Sequence, residues 1–251
     1  MEILPIRTPL LQEGDNLAEI LQTIGHISEG DIVVVSSKAF ATVEGAAFAL
    51  DTLKPSAKAK ELAKHHTKSA VHYQAVINET ERMNGSIIQT NNGVVLTELK
   101  PDGIGEGSVL VPNAGLDRSN IADGYIVGWP LDPVSSVRKL YDELDTKRCA
   151  IIMTDSGLCP RRRGVMAFAL AVCGMDPLLD LVGKPDLFGQ DMRMTEEAIA
   201  DQLATAANFI MGNADQAIPA AIIRGHDVPF TDFCGWVPGI EREKDIYHGV
   251  I

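Results

Sequence analysis

Two uninterrupted apolar runs set the terms for this fold. Ile32-Val33-Val34-Val35 is entered through Glu29-Gly30-Asp31 and left through Ser36-Ser37-Lys38, and Ala150-Ile151-Ile152-Met153 is left through Thr154-Asp155-Ser156. Short apolar runs bounded by turn and polar residues read as strands buried on both faces. In each, the polar residues fall where the chain leaves the sheet.

The rest of the chain supplies mixed elements around them. Pro55-Ser56 opens a helical stretch with Ala57, Leu62 and Ala63 that fades near His65-His66, and a second helix carries Tyr73, Val76 and Ile77. From Ile87 to Val111, β-rich runs alternate with Gly and Asn turns, the pattern of antiparallel ribbons. Residues 113–120 form a loop, and Val134 to Leu144 returns to helix. The most regular helical pattern starts at Thr195 as N-cap, with Glu196 and Glu197 at the positive end of the helix dipole. Ile199, Leu203, Ala206 and Ile210 then share one face, and Gly212 ends the helix before a strand from Ala220 to Ile223. Helices and strands do not alternate strictly, so the expected class is α+β.

Charge narrows the partners. The chain carries 34 acidic and 22 basic side chains among 251 residues, a formal balance of −12, which argues against a nucleic-acid or anionic-membrane surface. No apolar stretch approaches the roughly 20 residues that cross a bilayer. The start, Met-Glu-Ile-Leu-Pro-Ile-Arg, lacks the basic and apolar regions of a signal peptide, so a cytoplasmic protein is expected. Cys149, Cys159, Cys173 and Cys234 form no C-x-x-C pair, and four free thiols are expected.

The common nucleotide and hydrolase signatures are missing. Gly183-Lys184 is followed by Pro185 and makes no phosphate loop, and Gly103-Ile104-Gly105-Glu106-Gly107 reads as a flexible turn. Two acidic loops remain, each after an expected strand: Asn113-Ala114-Gly115-Leu116-Asp117-Arg118-Ser119-Asn120, and Thr154-Asp155-Ser156 ahead of Arg161-Arg162-Arg163. Carboxylates with hydroxyls beside them suit a hard divalent cation shared with phosphate. They also suit turn and cap roles, which composition alone favours. The histidines lack ligand spacing, Asp186 reads as a turn cap against Gly189, and Trp129 and Trp236 read as packing residues.

Asn-Ala-Gly-Leu-Asp-Arg-Ser-Asn resembles a motif of the coenzyme F-420 γ-glutamyl ligase family, and other blocks match in the same order. They are Val34 to Lys38 with Glu44-Gly45, Thr154-Asp155-Ser156 leading to Arg162-Arg163-Gly164-Val165, Asp186 to Gly189, and Asn208 through Met211-Gly212 to Pro219 and Arg224-Gly225. The resemblance runs over residues 5–225, leaving 226–251 as a C-terminal extension of a single domain spanning 1–251. It implies an α+β fold in an intertwined homodimer. The implied reaction joins L-glutamate to a small carboxylate acceptor, with GTP as co-substrate, Mg²⁺ or Mn²⁺ as cofactor and an acyl phosphate on the way. Carried over by position, Asp117, Asp155 and Ser156 would be metal ligands, with Gln216 at a fourth ligand position. Ser37, Lys38 and Asn120 would contact the nucleotide, Pro9-Leu10-Leu11 would flank its base, and Lys38 and Arg162 would supply fixed positive charge to reacting groups.

Two differences from the family pattern matter. Gln216 stands about where a glutamate is expected, and Asn213 replaces another acid or amide. A neutral amide holds a hard cation more weakly than a carboxylate, which gives a second reading: a ligase fold that binds nucleotide or metabolite with weakened catalysis. The run Thr154-Asp155-Ser156-Gly157-Leu158-Cys159-Pro160, with Gly128-Trp129-Pro130, is similar to that of relatives assigned to folate metabolism, so the acceptor the resemblance implies is left open between an F-420 precursor and a folate-like acid.

Overall fold

The computed structural model describes residues 1–146 and 148–250. The chain opens with β1 (Glu2–Ile6), α1 (Leu17–Gly25), β2 (Ile32–Ser36), α2 (Ser37–Val43) and the short β3 (Phe48–Ala49). Next come α3 (Ala57–Lys64) and α4 (Ala70–Arg82), each begun by a serine, Ser56 or Ser69, whose hydroxyl accepts a first-turn N–H. β4 (Ser86–Asn91), β5 (Val94–Leu99) and β6 (Val109–Pro112) form a three-stranded antiparallel sheet, as the alternating pattern predicts. After β7 (Tyr125–Ile126) and α5 (Pro133–Glu143) the chain enters β8 (Ala150–Leu158) and β9 (Val165–Met175). The small pair β10 (Leu179–Asp180) and β11 (Glu196–Glu197), then α6 (Ile199–Met211), β12 (Ala220–Arg224) and β13 (Phe230–Trp236), complete the order.

The main sheet runs β1-β12-β2-β8-β9-β13, with β2–β8 its one parallel pairing. Residue-by-residue alternation divides its central strands between two cores. Val33, Val35, Ile151, Met153, Ala220 and Ile222 face the larger core, which includes side chains of α1, α2, α4 and α5; Ile32, Val34, Ala150, Ile152, Ala221 and Ile223 face α6. Both faces are therefore dry, which is why β2 as far as Val35 and β8 as far as Met153 carry no polar side chain. Helices on both faces of a mixed sheet, with a second antiparallel sheet, make the fold α+β.

Several expectations need correction. The second buried strand does not stop at Ser156 but continues to Leu158 and turns into β9, an 11-residue strand that the sequence reading missed. Thr195 is not an N-cap: Glu196 and Glu197 pair with Asp180 and Leu179, and the helix starts at Ile199 without a side-chain cap. Its buried face is Ala200, Leu203, Ala204, Ala207 and Met211, so Ile199, Ala206 and Ile210 lie at its margins. Cys173 and Cys234 sit opposite each other on β9 and β13 and are joined as a disulfide, leaving only Cys149 and Cys159 of the four as free thiols. Within residues 226–251, β13 forms an edge of the main sheet. Among the described residues, no helix is long and apolar enough to cross a membrane.

Candidate functional site

Parallel pairing of β2 with β8 brings Ser36 beside Thr154, so the polar ends of the two dry strands emerge together. From one end, the first turn of α2 presents Lys38; from the other, β8 continues into Asp155 and Ser156. The loop after β6 approaches the same place. Its Asn113 side chain accepts from the Val95 N–H, Ala114 N–H donates to Thr97 Oγ1, and Asp117 exchanges two backbone hydrogen bonds with Val127.

Lys38 Nζ spends its donors on that loop, at 2.6 Å to Asp117 Oδ2, 2.8 Å to the Ser119 carbonyl and 2.8 Å to Ser119 Oγ. The Ser119 N–H and hydroxyl also donate to the two Asp117 oxygens. Burial pushes the Asp117 carboxyl upward, but the hydrogen bonds from Lys38 and Ser119 and the lysine charge outweigh it and hold the group below the usual carboxylate range. Asp155 is in the opposite condition. Loss of hydration, aided by the Asp117 charge, pushes it up to about 6, against hydrogen bonds from the Trp129 indole and the Ser156 N–H and against the Lys38 charge.

The turn after α6 closes the remaining side. Ser156 Oγ donates to Asn213 Oδ1 at 3.0 Å, and Asn120 Nδ2 donates to the Ala214 carbonyl at 2.8 Å. Gln216 folds back, its Oε1 accepting from the Ala214 N–H at 2.8 Å, while its carbonyl accepts from Arg7. The Thr8 N–H donates to the Ala217 carbonyl, which ties the Pro9-Leu10-Leu11 strip to this turn, with Leu10 85% exposed. Ser37 is buried at the start of α2.

Lys38, Asp117, Asn120, Asp155, Ser156 and the turn bearing Gln216 are thus linked around one place, although they come from four separate stretches of sequence. Arg162 is not brought to them. It sits in the turn of the β8–β9 hairpin, where its N–H bonds the Cys159 carbonyl, on the order of 15 Å along the hairpin from Ser156 at ~3.3 Å per residue. Two contacts escaped the sequence reading. Ser119 carried a signal, a hydroxyl two residues after Asp117, whereas Trp129, 26 residues from Asp155, carried none.

No group of three or more His, Cys, Asp or Glu side chains able to hold a metal occurs among the described residues. The donor set here is of another kind: two carboxylates, a serine hydroxyl and amide oxygens. It fits a hard divalent cation that keeps waters and shares phosphate oxygens, because such ions take one or two carboxylates rather than a full protein cage. Asp117, Asp155 and Ser156 would hold it.

Paired carboxylates, a lysine and hydroxyls at the ends of buried strands make up this site, the kind of site expected of an enzyme that works on charged small molecules. The model for F420-0:Gamma-glutamyl ligase matches residues 5–225. The chain is 36% identical over 232 residues to the coenzyme F420:L-glutamate ligase of Archaeoglobus fulgidus, covering 91% of this chain and 89% of that protein. It is 34% identical over 252 residues to the enzyme of the same name in Methanocaldococcus jannaschii, covering 98% and 96%. The chain belongs to the F420-0 γ-glutamyl ligase family, whose name and relatives mark it as a glutamate ligase.

Proposed function

We propose that this protein forms an amide between L-glutamate and the carboxylate of a small acceptor, an F-420 precursor or a folate-like acid, at the expense of GTP. The observation that carries the reading is the junction of Lys38, Asp117, Asn120, Asp155 and Ser156 at one place in a chain of this family. In the first step an oxygen of the acceptor carboxylate attacks the γ-phosphorus, forming a carboxyl–phosphate bond and releasing GDP. In the second, the glutamate amine attacks the acyl carbon, the carbon–oxygen bond to phosphate breaks, and the amine proton passes to solvent. Both steps need charge neutralised and groups aligned more than they need a protein nucleophile.

A bound Mg²⁺ or Mn²⁺ would neutralise phosphate charge and hold its oxygens in line. Asp117, Asp155 and Ser156 supply its protein oxygens in this reading. Lys38 neutralises Asp117, and with a cation held at that carboxylate it would be available to a phosphate oxygen. Asn120 and Ser37, with the Pro9-Leu10-Leu11 strip, are assigned to the nucleotide. Exposed apolar side chains at Leu158, Val165, Leu187, Phe188 and Met194, on the β8–β9 and β10–β11 arms, support a homodimer. The acidic surface and these soluble-enzyme steps suit the cytoplasm.

Incubation with GTP or ATP, Mg²⁺ or Mn²⁺, glutamate and candidate acceptors is expected to release phosphate and to extend one acceptor by the mass of a glutamyl residue. No phosphate release with any acceptor, together with no nucleotide binding by calorimetry, would overturn the reading. The retreat of Gln216 into its own turn favours one alternative, a protein that binds nucleotide or metabolite with weakened catalysis. Nucleotide binding without turnover would select it.

A further inference from the structure

Trp129 and Trp236 lie 6.3 Å apart between ring centroids and are both buried, yet they satisfy their indole N–H groups differently. Trp236 donates to a backbone carbonyl, that of Asp102, at 3.1 Å. That is the ordinary solution for a buried indole. Trp129 instead donates to Asp155 Oδ2. Oδ1 of the same carboxylate accepts from the Ser156 N–H at 2.8 Å, so both oxygens are oriented and each retains a lone pair.

The same residue is registered against the loop of the other carboxylate. Gly115, two residues before Asp117, packs close against the indole: with φ +73, a Cβ there would fall 2.7 Å from both Nε1 and Cε2 of Trp129. Only glycine permits that approach. Val127, two residues before Trp129, holds Asp117 by N–H···O bonds of 2.8 and 3.0 Å in the two directions. Between them Gly128 is confined, since a Cβ would fall 2.9 Å from Glu79 Oε1. The segment 127–129 therefore grips the Asp117 backbone at one end and the Asp155 side chain at the other.

We propose that Trp129 is a positioning residue that fixes the orientation of Asp155 and its separation from Asp117, so that one divalent cation, or a cation and its shared phosphate, meets both carboxylates without reordering them. This rests on the metal role proposed above for the two aspartates. Partners of this kind, bonded to a ligand rather than to the metal, hold ligands in coordinating orientation, and their loss typically costs ten- to a hundred-fold in metal affinity.

The test is a titration with Mn²⁺ alone, followed by calorimetry, on the wild type and on Trp129→Phe, Gly115→Ala and Trp236→Phe, with thermal melts of each. A parallel titration of ¹⁵N-indole-labelled wild type with Mg²⁺ follows the two indole N–H signals, assigned from the two Phe variants. Expected are a shift of the Trp129 signal on adding Mg²⁺ and a ten- to hundred-fold loss of Mn²⁺ affinity in Trp129→Phe. Gly115→Ala should lose affinity too, because its methyl drives the indole off Asp155. Trp236→Phe should lose thermal stability without a comparable loss of affinity. A folded Trp129→Phe with wild-type Mn²⁺ affinity overturns the positioning role and leaves the metal site standing. Should that variant not fold, wild-type affinity in Gly115→Ala or an unmoved Trp129 signal at saturating Mg²⁺ overturns it. Failure of the wild type to bind Mn²⁺ overturns the metal reading and this role with it.

Discussion

Asp117 and Asp155 belong to one site but to opposite environments. Asp117 stands on an exposed loop, with a lysine 2.6 Å away and the Ser119 N–H and hydroxyl as additional donors. Asp155 projects from a strand whose preceding residues are dry, and loss of hydration raises its pKa to about 6. On the metal reading proposed above, the difference sets what an incoming cation would displace: an ammonium group at one carboxylate and, in mild acid, a proton at the other. Lys38 supplies positive charge at Asp117, while Asp155 has an indole and a backbone N–H but, among the described residues, no cation hydrogen-bonded to it.

Deleting the charge of Asp155 should have the largest effect and should split activity from stability. Asp155→Asn keeps the size of the side chain but removes a carboxylate from the proposed cation site, and phosphate release is expected to fall about a thousand-fold. Stability should move the other way. The folded pKa, about 6, lies above the ordinary value of 3.8, so ionisation costs the native state nothing below about pH 4 and its full penalty above pH 6. Asp155→Asn is therefore expected to melt higher than wild type at pH 7.5, by up to about 3 kcal/mol, with the gain vanishing near pH 4. Equal melting of the two proteins at pH 7.5 would show that the carboxylate is not held against its hydration.

Lys38→Met sharpens the contrast from the other side. Removing the ammonium should lower turnover about a hundred-fold, since a phosphate-directed cation is lost. Affinity for Mn²⁺ alone should nonetheless rise severalfold, because the metal no longer competes with the lysine for Asp117. A fall in Mn²⁺ affinity would instead make the lysine a necessary organiser of the loop.

Acidity provides a smaller and reversible perturbation. Between pH 7 and pH 5, Asp155 becomes largely protonated while Asp117, with its lowered pKa, stays ionised. Mn²⁺ affinity should drop about tenfold over that interval, one proton released per metal bound below pH 6. Asp155→Asn should bind more weakly throughout and lose this dependence. A profile unchanged by that substitution would assign the proton to another group.

Much of this contrast could be read from the sequence, for identifiable reasons. The inner halves of β2 and β8 are unbroken apolar runs, and such runs have few alternatives to a doubly buried strand. Asp117, Asp155, Lys38 and Asn120 were legible because ordered motif blocks pointed to them together. β9 was not, since its Ala-rich run carries little polar alternation, and both Leu170 and Ala171 face the larger core where its register shifts. Tertiary pairing overrode the local preference at Thr195: its carbonyl accepts the Leu181 N–H, and the next two residues become strand. The Cys173–Cys234 pairing depended on β13 joining β9, a long-range register that spacing alone does not encode. Trp129 escaped for the same reason, and the chain around Arg162 gave no sign that its turn projects away from the carboxylates.

The smallest effect is expected at Gln216. Its Oε1 closes the turn on the Ala214 N–H, and a glutamate there can accept the same bond with one oxygen, leaving the other to add negative charge near Ser156 and Asn213. If Asp117 and Asp155 supply the two carboxylates that a phosphate-sharing cation commonly takes, as proposed, Gln216→Glu should raise Mn²⁺ affinity only a few-fold and change turnover by no more. Calorimetry with Mn²⁺, beside phosphate-release rates at saturating metal, reads both quantities. A gain of a hundred-fold or more would break the comparison at its root. It would mean that the two aspartates form an incomplete pair, that the neutral amide has cost the site a full ligand, and that weakened catalysis describes the natural protein better than a working ligase does.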